Sequence, residues 1–304
     1  MIKNPIRILV FSFLLISLSS CSVINSVLHP ATKTPISTMT PQETATPLPT
    51  LTPTPPPSVA IVNGLYVWKE DLETTLENLR QAYTETSRET ISEEDLKQEA
   101  LNKLIDETIF LSAAQEAGFT ITSEELDTRI QSLNTQADSE EAVKSWQNQY
   151  HYSDGGLRRA LEREIASAWM REKIFSESLS TVEQIHTYQI LTTDSSEAND
   201  VKTKLDLGLP FLDLAKEYDP LTGGDMDWIP RGILVYPELE KALFALEPGT
   251  YTDVIETKFG FHILYAAEKS SNHELDSQTL QILQHKVLES WLQEQRTRAE
   301  ITIL

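Results

Sequence analysis

The segment that most constrains the fold of this chain spans residues 223–264. It begins with GGDMDWIPRG, continues through LFALEPG and ends with KFGFHIL. Glycine pairs and proline–glycine turns divide it into short elements, and proline is favoured in the first turn of a helix. Apolar residues between these turns are numerous enough for buried strands. The pattern predicts a strand over 226–229, a helix over 237–245, and two strands over 251–256 and 260–266.

This order of motifs resembles the parvulin family of peptidyl-prolyl isomerases, and the resemblance covers residues 182–269. It implies an α+β fold with a four-stranded antiparallel sheet and flanking helices. It also implies rotamase activity, the cis–trans isomerisation of X–Pro bonds. That reaction forms no covalent intermediate and needs no metal or other cofactor, so none is expected. The aspartates in these turns have no paired histidine, which also disfavours a metal site.

The resemblance carries over two site residues on strands. A family histidine on the last strand, within G-[Y/I/F]-H-I-[I/L], corresponds to His262 in GFHIL. The histidine on the first strand is replaced by Gln189 in IHTYQIL. His186 lies three residues earlier, so strand alternation predicts that it faces the other side unless a bulge intervenes. The alternative for His262 is a core histidine without a role in the site.

The remaining site residues implied by the resemblance lie in the loop and the apolar pocket. Asp219 is the candidate for the acidic loop residue, although only four residues separate Tyr218 from Gly223. A solvated turn aspartate is the alternative. The expected walls of the proline-ring pocket are Met226, Leu234, Leu239 and Phe259.

The N-terminus carries the pattern of a bacterial lipoprotein signal. Lys3 and Arg7 precede an apolar run over 8–18, which is too short to span a bilayer and suits a secretory signal. The run ends in LSSC, which resembles a lipobox, so cleavage before Cys21 and lipidation of that residue are expected. The alternative is a small buried apolar residue. Since Cys21 is the only cysteine, no intrachain disulfide can form.

A spacer follows over residues 30–57, of which nine are proline and nine are threonine. It has too little apolar surface to offset the entropy of ordering, so it is expected to be a disordered linker. A proline-rich ligand for a partner is the alternative. The whole chain has 46 acidic and 25 basic side chains, a formal net charge of −21. Such a surface repels polyanions, so no nucleic-acid partner is expected.

Residues 58–209 contain no proline, and their apolar periodicity predicts helices. Within it, the stretch VAIVNGLYVWKEDLE is followed by ALNKLIDETIFLSAAQEAGFTITSEELDTRI. This combination resembles the N-terminal domain of SurA/PrsA-like extracytoplasmic foldases over residues 58–178, and in that family the helices hold unfolded clients. The alternation over 299–303 predicts a short strand that pairs with 59–62. The predicted helices span 69–82, 94–117, 123–133, 142–150, 157–178 and 275–296, with the Asp154-Gly155-Gly156 triplet separating the fourth from the fifth.

Together these patterns predict a membrane-anchored isomerase and foldase at the extracytoplasmic face of a bacterial cell envelope. Its expected partners are unfolded or partly folded exported proteins with X–Pro bonds. The alternatives are a non-catalytic holdase chaperone whose parvulin domain only binds proline-containing segments, and an envelope scaffold with no client. The predicted divisions are a signal peptide (1–20), the lipidated cysteine and linker (21–57), a helical domain (58–180), an inserted parvulin-like domain (181–270), and a C-terminal helix and strand that pack on the helical domain (271–304).

Overall fold

A computed structural model describes residues 56–86, 91–136 and 139–304. The predicted signal peptide, Cys21 and all but the last two linker residues lie outside the described residues. The chain divides into two compact units. Unit 1 contains the described residues up to 104, with 121–161 and 302–304, and unit 2 contains 105–120 and 162–301. The domain boundaries expected from the sequence stay a prediction.

Helices and strands alternate along the described chain in the manner of an α+β protein. The elements are β1 (Ser58–Val62), β2 (Leu65–Trp68), α1 (Lys69–Thr86), α2 (Glu93–Glu116), α3 (Ser123–Gln136), α4 (Glu140–Gln149), α5 (Asp154–Ser178), β3 (Gln184–Thr192), α6 (Ser195–Asp206), α7 (Phe211–Tyr218), β4 (Asp225–Pro230), α8 (Pro237–Ala245), β5 (Thr250–Tyr251), β6 (Ile255–Thr257), β7 (Gly260–Ser270), α9 (Ser277–Arg298) and β8 (Ile301–Ile303).

Side-chain caps explain where two helices of unit 1 begin. Thr122 and Glu125 form a capping box ahead of α3, because the Thr122 hydroxyl accepts from the Glu125 N–H at 3.2 Å and the Glu125 carboxylate accepts from the Thr122 N–H at 2.7 Å. The Asp154-Gly155-Gly156 triplet does not separate two helices, so that prediction is wrong. Instead it forms the first turn of α5, since the Ser153 hydroxyl accepts from the Gly156 N–H at 2.9 Å and caps the helix there.

Unit 1 also contains a small sheet with strand order β2-β1-β8. Asn63 and Gly64 both have positive φ angles, 50° and 83°, which gives the tight turn between β1 and β2. At the other edge of β1, the Leu304 N–H donates to the Val59 carbonyl at 3.0 Å, which is the pairing that the C-terminal alternation predicts. The helical part of the chain is therefore accompanied by strands, and the predicted α+β class is confirmed.

Unit 2 contains an antiparallel sheet with strand order β4-β3-β7-β5, and β6 also pairs with β7. The single strand predicted over 251–256 is wrong, because two short strands, β5 and β6, take its place. The buried Thr252 explains the break, since its hydroxyl rather than a backbone carbonyl accepts from the Leu264 N–H at 3.0 Å. Between β5 and β6, a side chain thus replaces one backbone hydrogen bond to β7.

The two faces of this sheet bury different helices. Ile190 and Ile263 pack with apolar residues of α6 and α7. Ile185, Leu264 and Ala266 pack with Leu239, Leu243 and Phe244 of α8 on the other face. This separation follows from the alternation of side chains along β3 and β7. The face covered by α8 is the one that carries the site described below.

No helix among the described residues is both long enough and apolar enough to cross a membrane.

Candidate functional site

The pairing of β3 with β7 brings the two predicted strand residues together. Gln189 lies opposite Leu264, and His262 lies two residues from Leu264 on the same strand, so both side chains emerge on the α8 face. The His262 Nδ1 atom is 2.9 Å from the Gln189 Oε1 atom. The His262 side chain is almost fully enclosed, with 5% of the residue exposed. The structure therefore gives the imidazole a fixed partner on the neighbouring strand.

A third residue, Thr257, completes the hydrogen bonding of the imidazole. Its hydroxyl oxygen lies 2.8 Å from His262 Nε2 and accepts from the Phe259 N–H at 3.1 Å. Thr257 ends β6 and pairs with Gly260 across a two-residue turn. The sequence pattern predicts a strand that ends at residue 256, so it leaves Thr257 in a connection and does not mark it as a site residue. A two-residue hairpin at Lys258-Phe259 is the signal that identifies it.

The protons in this group follow from the chemistry of each partner. Burial lowers the pKa of His262 below its usual value of 6.5, so the ring is neutral at pH 7 and has one N–H. The Gln189 oxygen can only accept, which assigns that proton to Nδ1. Nε2 then accepts from the Thr257 hydroxyl, whose oxygen accepts from Phe259. A continuous chain of hydrogen bonds therefore runs from the β6–β7 turn to Gln189 and fixes one tautomer.

Two glycines of the motif allow the backbone to approach the strand that carries Gln189. A Cβ atom on Gly224 would lie 2.3 Å from the Gln189 carbonyl oxygen, and one on Gly260 would lie 2.3 Å from the Thr192 carbonyl oxygen. The Gly224 carbonyl accepts from the Gln189 N–H at 2.8 Å. Glycine at these two positions thus lets the chain segments on both sides of β3 lie close to it beside the site. This close approach is a physical reason for the two glycines in the motif.

Three of the four predicted pocket residues meet in one apolar cluster. Leu239 is buried there on α8, and Met226 and Leu234 pack against the cluster as half-buried side chains. Phe259 is 64% exposed and lies edge-to-face with Tyr236, with ring centroids 5.9 Å apart. The cluster includes Leu264, so an apolar surface and the His262–Gln189 pair occupy the same face of the sheet.

Comparison with known families matches two segments of the chain. The model of a SurA-like N-terminal domain matches residues 50–155, and that of a PPIC-type PPIase domain matches residues 191–268. The foldase protein PrsA of Caldanaerobacter subterraneus is 25% identical over 225 residues, covering 68% of this chain and 72% of that protein. That of Geobacillus kaustophilus is 27% identical over 214 residues, covering 62% and 71%. The chain is a SurA/PrsA-like protein with a parvulin-type peptidyl-prolyl isomerase domain.

Two further proteins are similar to this chain, one over a smaller part of its sequence and one by its solved structure. The chaperone SurA of Nitrosospira multiformis is 30% identical over 141 residues, covering 40% of this chain and 32% of that protein. A solved structure of peptidylprolyl isomerase PrsA from Bacillus cereus is 18% identical, with a TM-score of 0.40, covering 76% and 81% of the two chains. The family assignment rests on the sequence matches.

The structure does not join Asp219 to the parvulin-type site. Its carboxylate accepts from the backbone of Leu221 at 3.1 Å, from that of Thr222 at 3.2 Å and from the Thr222 hydroxyl. These hydrogen bonds, above all that from the Thr222 hydroxyl, lower the pKa of the Asp219 carboxyl. The donors to this carboxylate thus belong to the loop that Asp219 begins. The Asp219 side chain thus stabilises a turn. A catalytic role for Asp219 stays a prediction.

His186 also lies apart from His262. Its Nε2 atom is 3.0 Å from an Asp225 carboxylate oxygen, and its ring stacks on Trp228 with centroids 5.6 Å apart. The pairing of β3 does contain a bulge at this point. The extra residue lies on β4 and on β7 rather than on β3, so His186 stays on the same face as Tyr188, which is the face opposite to His262. His186 therefore does not replace the missing strand histidine. No group of three or more potential metal-binding side chains occurs in the part of the chain that the structure describes.

We expect Thr257→Val to weaken the site, because it removes the hydroxyl that donates to His262 and preserves the side-chain shape. A single hydrogen bond to a buried group contributes about 1 kcal/mol, so kcat/KM in a protease-coupled proline-peptide assay should fall about five- to tenfold. Thr257→Ser is the control, since it keeps the hydroxyl and should retain most of the activity. Equal rates for Thr257→Val and the wild type would contradict the hydrogen-bond chain.

The buried His262 also predicts a pH dependence of stability. Because burial lowers its folded-state pKa, the unfolded chain takes up a proton first as the pH falls through about 6.5. The contribution of His262 to the free energy of unfolding should therefore be constant above about pH 7.5 and decrease towards about pH 5.5. Urea unfolding of the wild type and His262→Leu measures it. The difference between them should shrink on acidification, and a constant difference would exclude the assigned neutral state.

Proposed function

We propose that this peptidyl-prolyl isomerase and chaperone acts outside the cytoplasm on exported proteins that contain X–Pro bonds. The observation that carries the proposal is the Thr257–His262–Gln189 hydrogen-bond chain beside an apolar cluster in the PPIC-type domain. Unfolded or partly folded proteins are the partners that agree with the foldase and chaperone relatives. The SurA-like N-terminal match supports a client-holding role for the rest of the chain.

The reaction sets clear demands on such a site. Rotation about an X–Pro bond destroys amide resonance and faces a barrier of about 20 kcal/mol. A catalyst must favour the twisted amide over the planar one, and fixed dipoles in a water-poor site do this efficiently. Here the half-buried side chains of Met226 and Leu234, which pack against the cluster that contains Leu239, offer an apolar surface for the proline ring. His262 supplies an oriented, neutral dipole rather than a mobile charge.

Gln189 distinguishes this site from one with two histidines. Its amide can donate and accept hydrogen bonds, but it cannot be protonated or exchange tautomers. It therefore orients His262 without being able to share a proton with it. We propose that His262 and Gln189 are the residues at the reacting bond and that turnover is slower than with a histidine at position 189.

A protease-coupled proline-peptide assay on the full chain tests this proposal. We expect the wild type to accelerate isomerisation, His262→Ala to lose about tenfold or more of kcat/KM, and Gln189→His to gain activity. His285→Ala is a matched control, because His285 is an exposed histidine on α9 whose ion-pair partner, Glu289, lies on the same helix. Loss of activity in His262→Ala but not in His285→Ala would support the assignment.

The second candidate function is that of a holdase whose parvulin-type domain binds proline-containing segments without turnover. The observation that favours it is Gln189 in place of histidine. Absence of acceleration by the wild-type chain would refute catalysis. Suppression of aggregation of an unfolded client by that inactive chain would then establish the holdase function.

We also propose that a lipid on Cys21 anchors the mature chain to a bacterial membrane. The support is the basic and apolar stretch that ends in LSSC, and the threonine- and proline-rich segment behind it. A segment of this composition between the lipid and the rest of the mature chain would leave that chain free to meet exported proteins.

The proposed lipid anchor predicts which fraction contains the protein when bacterial cells that express it are separated into membranes and soluble material. The wild type should sediment with membranes, and Cys21→Ala should not carry the lipid-linked mass on the mature N-terminus. Ser22→Ala keeps the cysteine and serves as the control. A wild-type chain that is recovered without lipid would disprove the anchor and leave the isomerase proposal intact.

A further inference from the structure

Helix α9 contacts a turn of the isomerase site within unit 2. The Lys286 ammonium donates to the Gly232 carbonyl at 2.6 Å. One turn of helix earlier, Leu283 is 3% exposed, and its Cδ2 atom is 3.4 Å from the position that a Cβ on Gly232 would occupy. A polar and an apolar contact from α9 therefore converge on a single residue.

The same turn is held from two other sides. The Gly232 N–H donates to a Glu240 carboxylate oxygen on α8 at 3.0 Å. The preceding Arg231 forms an ion pair with Glu183, and its guanidinium lies 4.1 Å from the ring centroid of Phe244. Gly232 has a φ angle of +95°, a conformation that side chains strongly disfavour. The turn thus has a defined geometry, with α9 as one of its supports.

This turn leads directly into the apolar wall of the site. Leu234 follows Gly232 by two residues and packs against the cluster that contains Leu239 and Leu264. Leu264 is the residue opposite Gln189. A shift of the turn is therefore transmitted to the surface on which the proline ring would rest.

The contact between α9 and the Gly232 turn lies beside a groove. The groove has a volume of about 460 Å³ and is lined by residues of α9, of the turn and of the segment after α5. Gly232, Leu283 and Lys286 lie along this groove. The contacts of Leu283 and Lys286 with Gly232 therefore lie along an opening between these elements.

We propose that Lys286 and Leu283 are positioning residues of the isomerase site, which they serve by holding the Gly232 turn and with it Leu234. This inference rests on the proposed function for its effect on substrate. It makes the C-terminal helix part of the binding surface, although that helix follows the segment matched by the PPIC-type family model. Neither residue touches the reacting bond.

The test compares Lys286→Met, which keeps most of the apolar stem, with Lys286→Arg, which restores a donor. We expect Lys286→Met to raise KM about threefold with kcat unchanged, because one hydrogen bond that orders the binding wall is lost. Hydrogen exchange at residues 230–236 should become faster. Lys286→Arg should restore both values, and His285→Ala, on the adjacent exposed position, should change neither. The melting temperature should stay within error because Lys286 is exposed.

The two readouts separate this inference from the proposed function. If KM and hydrogen exchange of Lys286→Met both equal those of the wild type, α9 does not position the turn. Faster exchange with an unchanged KM would limit α9 to a structural role and also overturn the proposal. A wild type without turnover would refute the isomerase function alone, and the affinity of the full chain for a proline-containing peptide, measured by calorimetry, then takes the place of KM. An unchanged affinity in Lys286→Met overturns the inference.

Discussion

The antiparallel register between β3 and β7 is the constraint on which the site depends. It sets Gln189 opposite Leu264 and His262 opposite Leu191, so the amide and the imidazole meet diagonally on one face. A slip of β7 by one residue would turn His262 towards the α6 and α7 face and away from Gln189, because side chains alternate along a strand. The bulge in this pairing lies opposite His186 and Thr187, where β7 has one extra residue between Ala266 and Glu268, and it leaves the pairing of the next residues regular. Glycines 224 and 260 permit the close backbone approach that this arrangement needs.

The chemistry of the site follows from enclosing a histidine without an ionic partner. Burial favours the neutral ring, and Gln189 and Thr257 satisfy its two nitrogens. A neutral amide in place of a second histidine removes a titratable group from the pair and fixes the tautomer of the first. The resulting site is rigid, apolar and weakly polarising. It suits the conformational rotation of a bound amide, which requires neither proton transfer nor a covalent intermediate.

Local patterns predicted much of the fold and two of the three polar residues of the site, His262 and Gln189. The helix over Pro237–Ala245 follows from proline at its start and a breaker at its end, and the Thr122–Glu125 capping box follows from the spacing of two residues. The errors arose where a side chain replaced a backbone partner. Ser153 caps α5 so that the glycine pair lies inside the helix, and Thr252 accepts from Leu264 so that one expected strand becomes two. The replacement of a backbone partner by a side chain depends on contacts that residue type alone does not specify.

The sequence by itself determined the order of motifs, the α+β class and the candidates His262 and Gln189, because these depend on residue type and on spacing along the chain. Only the tertiary structure decided that Thr257 completes the imidazole, that Asp219 bonds within its own loop and that Lys286 supports the turn before Leu234. Lys286 and Gly232 are 54 positions apart. Contacts of that kind form only after strand register and helix packing have set the distances, so no local pattern encodes them.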